Sequence, residues 1–191
     1  MKKILILAAT LALPIGAQAV SMPGFCAKGI GSAEAKVCGH PGSAESEGLI
    51  FAMYRAALEK VDAGVGKTLQ EEHTKWWEGV KQCADAKDMN GCINNAYGTR
   101  AMQLQTAYKV TKATGPMSYS CSDKSKITAF FLETTPPSMV AARNKEHVLL
   151  RGEPSASGIA YGNRGEQFKE HKGKVTIKWG ANAKEISCKK V

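Results

Sequence analysis

Two periods divide this chain. Apolar side chains first recur at spacings of three and four. One set is Ile50, Met53, Tyr54, Ala57, Leu58 and Val61, and a second is Leu69, His73, Trp76, Trp77 and Val80. A third is Ile93, Ala96, Tyr97, Ala101, Leu104 and Tyr108. Each set predicts a helix with one buried stripe. Gly64 and Gly66 are placed between the first two helices, residues 85–91 between the second and third, and Asn90 as N-cap of the third. Beyond a linker at 111–116 the period becomes two. β-prone runs fall at 117–120, 127–132, 139–142, 147–150, 159–161, 175–179 and 185–188. Pro136-Pro137, Asn144, Gly152, Gly162-Asn163, Gly173 and Gly180 separate them as turn residues. Such closely spaced short strands, roughly seven or eight, predict a small antiparallel barrel or sandwich.

Upstream, Lys2 and Lys3 precede an apolar stretch at 4–15 that Pro14 breaks, and Ala17-Gln18-Ala19 fits a small-x-small cleavage site. This pattern predicts a signal peptide over 1–19 and a mature chain from Val20. The first cysteine, Cys26, follows Pro23-Gly24-Phe25 and not the apolar stretch, so no lipid anchor is expected. No later run reaches the ~18 apolar residues of a membrane helix. A periplasmic or secreted protein is the expectation.

The six cysteines are Cys26, Cys38, Cys83, Cys92, Cys121 and Cys188. An even set in an exported chain reads as a disulfide framework. Proximity suggests Cys26 with Cys38, and Cys83 with Cys92 as a clip on a helical hairpin. Cys121 with Cys188 would join the two ends of the sheet. Six cysteines allow fifteen connectivities, and spacing alone does not choose among them. The expected fold class is α+β in two domains: a disulfide-stapled helical bundle over 20–112 and a small antiparallel β-barrel over 117–191.

Charge is uneven. Residues 20–114 carry 11 basic and 10 acidic side chains, whereas residues 115–191 carry 13 and 7, a net of +6. A basic surface favours anionic partners such as envelope polymers or acidic protein patches. A solvated Lys-rich surface is the simpler account. Nucleic acid is not expected as the partner.

Several motifs reduce to structure. Gly64-Val65-Gly66-Lys67-Thr68 resembles the end of a phosphate-binding loop, but Val61 stands where its first glycine belongs and no strand precedes it. It reads as an inter-helix turn. His40, His73, His147 and His171 are not spaced as ligand pairs, and no Cys-x-x-Cys exists, so neither metal nor cofactor is expected. Trp76-Trp77 reads as one core ring beside a partly exposed neighbour, in preference to a sugar platform. Ser155-Ala156-Ser157-Gly158 lacks the glycine and following helix of a nucleophile elbow, which argues against an enzyme. The stretch 154–161 instead predicts a narrow polar loop entering a strand.

Residues 117–191 resemble the membrane-bound or periplasmic inhibitors of c-type lysozyme, the MliC/PliC type. The likeness rests on Tyr119-Ser120-Cys121, the basic turn 123–126, Phe130-Phe131, Pro136-Pro137-Ser138 and Val148-Leu149-Leu150. It continues through the Ser-Gly-x-x-Tyr of 154–161, Phe168, Val175-Thr176-Ile177 and Ser187-Cys188. The resemblance implies an eight-stranded antiparallel barrel whose serine-glycine loop blocks the lysozyme cleft. Ser157 would be that serine, Gly158 would let the backbone approach closely, and Tyr161 would anchor the loop base. A second family motif, Phe-Trp-x-Lys-Gly, becomes Phe168-Lys169-Glu170-His171-Lys172-Gly173. Its tryptophan is absent. His171, or Lys172 if one residue is inserted, takes the lysine position.

The first half is similar to the LprI-type helical domain of exported bacterial proteins. The matching pieces are Phe25-Cys26-Ala27-Lys28, Ala35-Lys36-Val37-Cys38, Tyr54-Arg55-Ala56-Ala57-Leu58, 76–83 and 92–100. The usual Leu-Asp pair is replaced by Ser46-Glu47-Gly48-Leu49. Together the resemblances imply a non-enzymatic inhibitor with c-type lysozyme as partner. The alternative is a module that binds peptidoglycan or another anionic envelope polymer without inhibiting anything. A small-ligand carrier is disfavoured, because so small a barrel is filled by its own side chains.

Overall fold

The computed structural model describes residues 25–27 and 31–191. The expected signal peptide, 1–19, lies outside the described residues. After a 3-10 turn at Phe25–Ala27 come α1 (Ser32–Cys38), α2 (Ser43–Leu58) and α3 (Ala63–Lys81). A second 3-10 turn, Gln82–Asp85, leads to α4 (Met89–Tyr108). The three predicted stripes are the buried faces of α2, α3 and α4. Ile50, Met53, Tyr54, Leu69, Trp77, Val80, Ile93, Tyr97 and Leu104 are all buried. Trp77 is a core ring and Trp76 is half-buried, as the pair predicts. The short α1 was not expected, since seven residues with one buried side chain, Val37, give too little periodicity to read.

Three boundaries differ from expectation. Gly64 and Gly66 lie inside the first turns of α3 and not between helices. The cause is Asp62, whose carboxylate accepts from the Gly64 and Val65 amides at 2.8 and 3.0 Å. Such an N-cap satisfies amides that lack an intrahelical partner. The phosphate-loop-like residues are therefore the start of a helix. Asn90 is likewise not the cap of α4; Asp88 is, accepting from the Gly91 amide at 2.9 Å. Residues 113–116, expected as linker, already belong to the first strand, because Ala113 pairs with Leu132 and Thr114 with Phe131.

The second half is a closed barrel with strands in sequence order. They are β1 (Ala113–Cys121), β2 (Lys126–Leu132), β3 (Ser138–Arg143), β4 (Glu146–Gly152), β5 (Ile159–Gly162), β6 (Gln167–His171), β7 (Lys174–Lys178) and β8 (Ile186–Lys190). β6 was not among the predicted runs. Its one buried side chain is Phe168, so it shows no alternation of apolar residues. Closure occurs where β8 returns to β1, over the pairs Tyr119 with Lys190, Ser120 with Lys189 and Cys121 with Cys188. The Cys121–Cys188 disulfide crosses that seam. Cys26–Cys38 and Cys83–Cys92 also form, so all three suggested bridges are present. Inside the barrel lie Tyr119, Ile127, Met139, Val148, Leu150, Phe168, Val175 and Ile177.

Helices and barrel share a second core. Leu132, Val140 and Leu149 point out of the barrel and join the cluster formed by α2, α3 and α4. This explains why β3 is buried on both faces over its first four residues. α4 lies directly on β4, and the closest approach is at Gly98. A Cβ there would overlap the backbone carbonyl of His147. The Asn95 side chain accepts from the His147 amide at 2.9 Å. Asn94 donates to the buried carboxylate of Glu166 at 2.6 Å.

Two measurements check this arrangement. Replacing both Cys121 and Cys188 by Ala opens a loop with a sequence separation of 67. In the chain-entropy model that lowers unfolding stability by roughly 4 kcal/mol, readable in urea denaturation. Gly98→Ala forces α4 away from β4 and should cost about 1–3 kcal/mol in the same assay, as overpacking does.

Candidate functional site

The narrow polar loop predicted before β5 is present and exposed. It runs from Glu153 to Gly158 between β4 and β5, and every residue of it is exposed. Its base is closed by the Glu153 amide, which donates to the Ala160 carbonyl at 2.9 Å. Within it, the Ser155 hydroxyl donates to the Ser157 carbonyl at 2.8 Å, tightening the turn. The hydroxyl of Ser157 is left at the exposed tip.

Gly158 fastens the far end of the loop. Its φ is +78°, a left-handed conformation that side chains resist. A Cβ on it would overlap the Glu170 carbonyl oxygen and lie 3.1 Å from the His171 Cα. Glycine is therefore required twice, by the dihedral and by the backbone of β6 pressed against it. The sequence resemblance names Gly158, but the strand it touches is legible only in the fold.

That contact also brings the second motif to the first. Ile159 pairs with Glu170 in the β5–β6 register, so the β6–β7 turn stands beside the loop. His171, the last residue of β6, and Lys172, in the turn, are both exposed, and Lys172 has a φ of +50°. The Glu170 carboxylate accepts from the Gly173 amide at 2.9 Å and holds the turn. Ser157, Gly158, His171 and Lys172 thus share one rim of the barrel.

Tyr161 sits below this rim. It pairs with Phe168 across β5 and β6, and its ring meets Phe131 edge-on at 5.5 Å. Half-buried there, its hydroxyl has a pKa raised by desolvation and stays protonated at neutral pH. The position suits an anchor for the strand under the loop. Sequence reasoning missed Ile159, which is 41% exposed. By the two-residue period it shares the face of Tyr161, but it lies at the strand end, where the barrel no longer covers it. Reading that period to the end of β5 would have found it.

The helical half reaches the base of the loop. A cleft of about 460 Å³ between the α1–α2 connection and the barrel is lined by His40, Ser43, Arg151, Glu153 and Arg164 among others. Burial, with the Arg164 charge adding to it, lowers the pKa of His40 and favours its neutral form. Arg151 stands 3.9 Å from the Glu45 carboxylate across the cleft.

A disulfide-closed antiparallel barrel with a serine-glycine loop on its rim is the class of structure found here. Residues 119–186 match the family described as membrane-bound lysozyme-inhibitor of c-type lysozyme. The chain is also 30% identical over 111 residues to Lipoprotein LprI of Mycobacterium bovis and of two Mycobacterium tuberculosis strains, CDC 1551 and H37Rv. That alignment spans 57% of this chain and 56% of each relative, so the chain spans a little over half the length of the curated relatives it matches. Among solved structures, the crystal structure of Pseudomonas aeruginosa MliC in complex with hen egg white lysozyme aligns with 19% identity and a TM-score of 0.34, covering 42% of this chain and 86% of that one. The barrel resembles c-type lysozyme inhibitors and the chain resembles the LprI type, as read from the sequence.

Gly158→Ala should destabilise the barrel by at least about 1 kcal/mol in urea denaturation, because alanine fits neither the dihedral nor the space. A variant as stable as the parent would show that the loop does not bear on β6.

Proposed function

We propose that this chain is an exported, non-enzymatic inhibitor of c-type lysozyme that seats the loop carrying Ser157 and Gly158 in the enzyme's catalytic cleft. The helical residues 20–112 and the barrel residues 117–191 would act as its two modules in the periplasm or outside the cell. The observation that carries this reading is the exposed loop tipped by a hydroxyl and pinned at Gly158 against β6.

Glycosidases of this kind need one protonated and one ionised carboxyl flanking the bond they cleave. A plug that hydrogen-bonds both groups stops the reaction without chemistry of its own. A serine hydroxyl both donates and accepts, so it can answer both protonation states at once. Pinning the loop before binding reduces the ordering cost of association. His171 or Lys172, on the neighbouring turn, would pair with an acidic group beside the cleft. Ile159 would cover apolar surface at the cleft edge.

The second reading rests on the net +6 of residues 115–191. A basic barrel suits an anionic envelope polymer, and like charge slows encounter with a basic lysozyme. Salt separates the two: polymer binding collapses as ionic strength rises, whereas plug-like inhibition holds or improves.

A lysis assay with purified cell wall, c-type lysozyme and the mature chain tests the proposal. Hydrogen bonds to charged groups are worth about 1.5–3 kcal/mol, so Ser157→Ala should raise the inhibition constant roughly ten- to a hundredfold. An unchanged constant would remove Ser157 from the mechanism. Pull-down on cell wall without lysozyme, lost at high salt, would favour the polymer reading instead.

A further inference from the structure

The helical half contains a buried charge that is poorly paired. Arg100 on α4 is only 4% exposed, yet its Nε and Nη2 have no hydrogen-bond partner among the described residues. Its Nη1 reaches the Gln103 side chain at a long 3.4 Å and stands 3.9 Å from the Glu72 carboxylate, beyond hydrogen-bond distance. Glu72 is itself 54% exposed and solvated. Burying a guanidinium with no close anion is costly, and such groups are normally paired.

Two neighbouring side chains of that interior do not supply the missing charge. His73 stacks on Tyr54 with ring centroids 4.0 Å apart, and desolvation, with the Arg100 charge adding to it, lowers its pKa to about 3, so it is neutral. Tyr54 has its hydroxyl pKa raised by desolvation, so it is neutral too.

Arg100 lies in the wall of a groove between α3 and α4 with a volume of about 630 Å³. That is within the ordinary range for a small-molecule site. Trp76 forms part of the wall and is held in place. Its indole N–H donates to the Ala96 carbonyl at 3.1 Å, His73 stacks on it at 5.1 Å and Tyr97 meets it edge-on at 5.3 Å. Lys75, Thr99 and Gln103 add polar groups. A fixed aromatic ring beside hydroxyl, amide and ammonium groups suits a sugar. A guanidinium suits a carboxylate, which Arg100 would meet by turning its buried Nε and Nη2 toward the groove.

We propose that the α3–α4 groove binds a carboxylate-bearing sugar, with Arg100 holding the carboxylate and Trp76 bordering the ring. The site lies on the helical half and does not depend on the loop at Ser157.

The test uses the full mature chain and two probes, N-acetylmuramic acid and N-acetylglucosamine, which differ by the lactyl carboxylate. Titration followed by tryptophan fluorescence and calorimetry should show saturable binding of the acid, with the neutral sugar at least tenfold weaker. Arg100→Met should weaken the acid at least tenfold. Glu72→Gln removes the competing rim carboxylate and should tighten it severalfold. The proposal is overturned if the acid does not bind, if the two sugars bind alike, or if Arg100→Met binds as the parent does. Should Arg100→Met fail to fold, Glu72→Gln decides alone, and affinity that is unchanged or weaker overturns the site. Because lysis is not the readout, failure here leaves the inhibitor reading standing, and the reverse also holds.

Discussion

The return of β8 onto β1 is the constraint from which the rest of the barrel follows. That seam is short, three residue pairs, and it joins strands from the two ends of the domain. Antiparallel strands wound in sequence order leave two open edges until the last meets the first, and open edges are unpaired backbone. The Cys121–Cys188 bridge lies at one end of the seam and limits how far the strands can separate when it opens. Within the closed ring, the β5–β6 hairpin, held by the turn at Asn163, places the loop of Ser157 beside His171 and Lys172.

A second constraint joins the barrel to the helices. Gly98 lets the α4 backbone lie against that of β4, and Asn94 and Asn95 supply polar contacts on either side of the approach. The outward faces of Leu132, Val140 and Leu149 are thereby covered by helical side chains. A barrel this small has a thin interior, and an outer core shared with a bundle adds buried apolar surface that neither part has alone. The carboxyl of Glu166 is drawn into this contact. Burial raises its pKa, against the hydrogen bonds from Asn163 and Asn94 that stabilise the charged form.

Where sequence reasoning went astray, a local hydrogen bond or a silent strand was responsible. Asp62 and Asp88 cap their helices through side-chain contacts that outweigh the glycine and asparagine signals nearby. β6 contributes one inward side chain and is held by its neighbours on both sides, so its conformation is imposed by pairing and not by its own pattern. Of the candidate site, Ser157 and Gly158 were legible as a motif, and His171 and Lys172 as alternatives for one position. Both of them are exposed, one at the end of β6 and one in the turn after it. Ile159 and Arg100 were not legible. Exposure of an isoleucine at a strand end, and two unpaired nitrogens on a buried arginine, are properties of surroundings that one sequence does not spell out.

Taken alone, the amino-acid order determined the three long helices, most of the strands, the presence of a disulfide framework and the narrow polar loop before β5. Those follow from periodicity, turn residues and an even cysteine count, which are readable along a chain. Only the tertiary structure decided that the helices and barrel share a core, that Gly158 rests on β6, and that Arg100 is buried in the wall of a groove with its Nε and Nη2 unpaired. Each of these depends on the distance between segments far apart in sequence, and such distances are set by closure of the sheet and by the approach of α4 to β4.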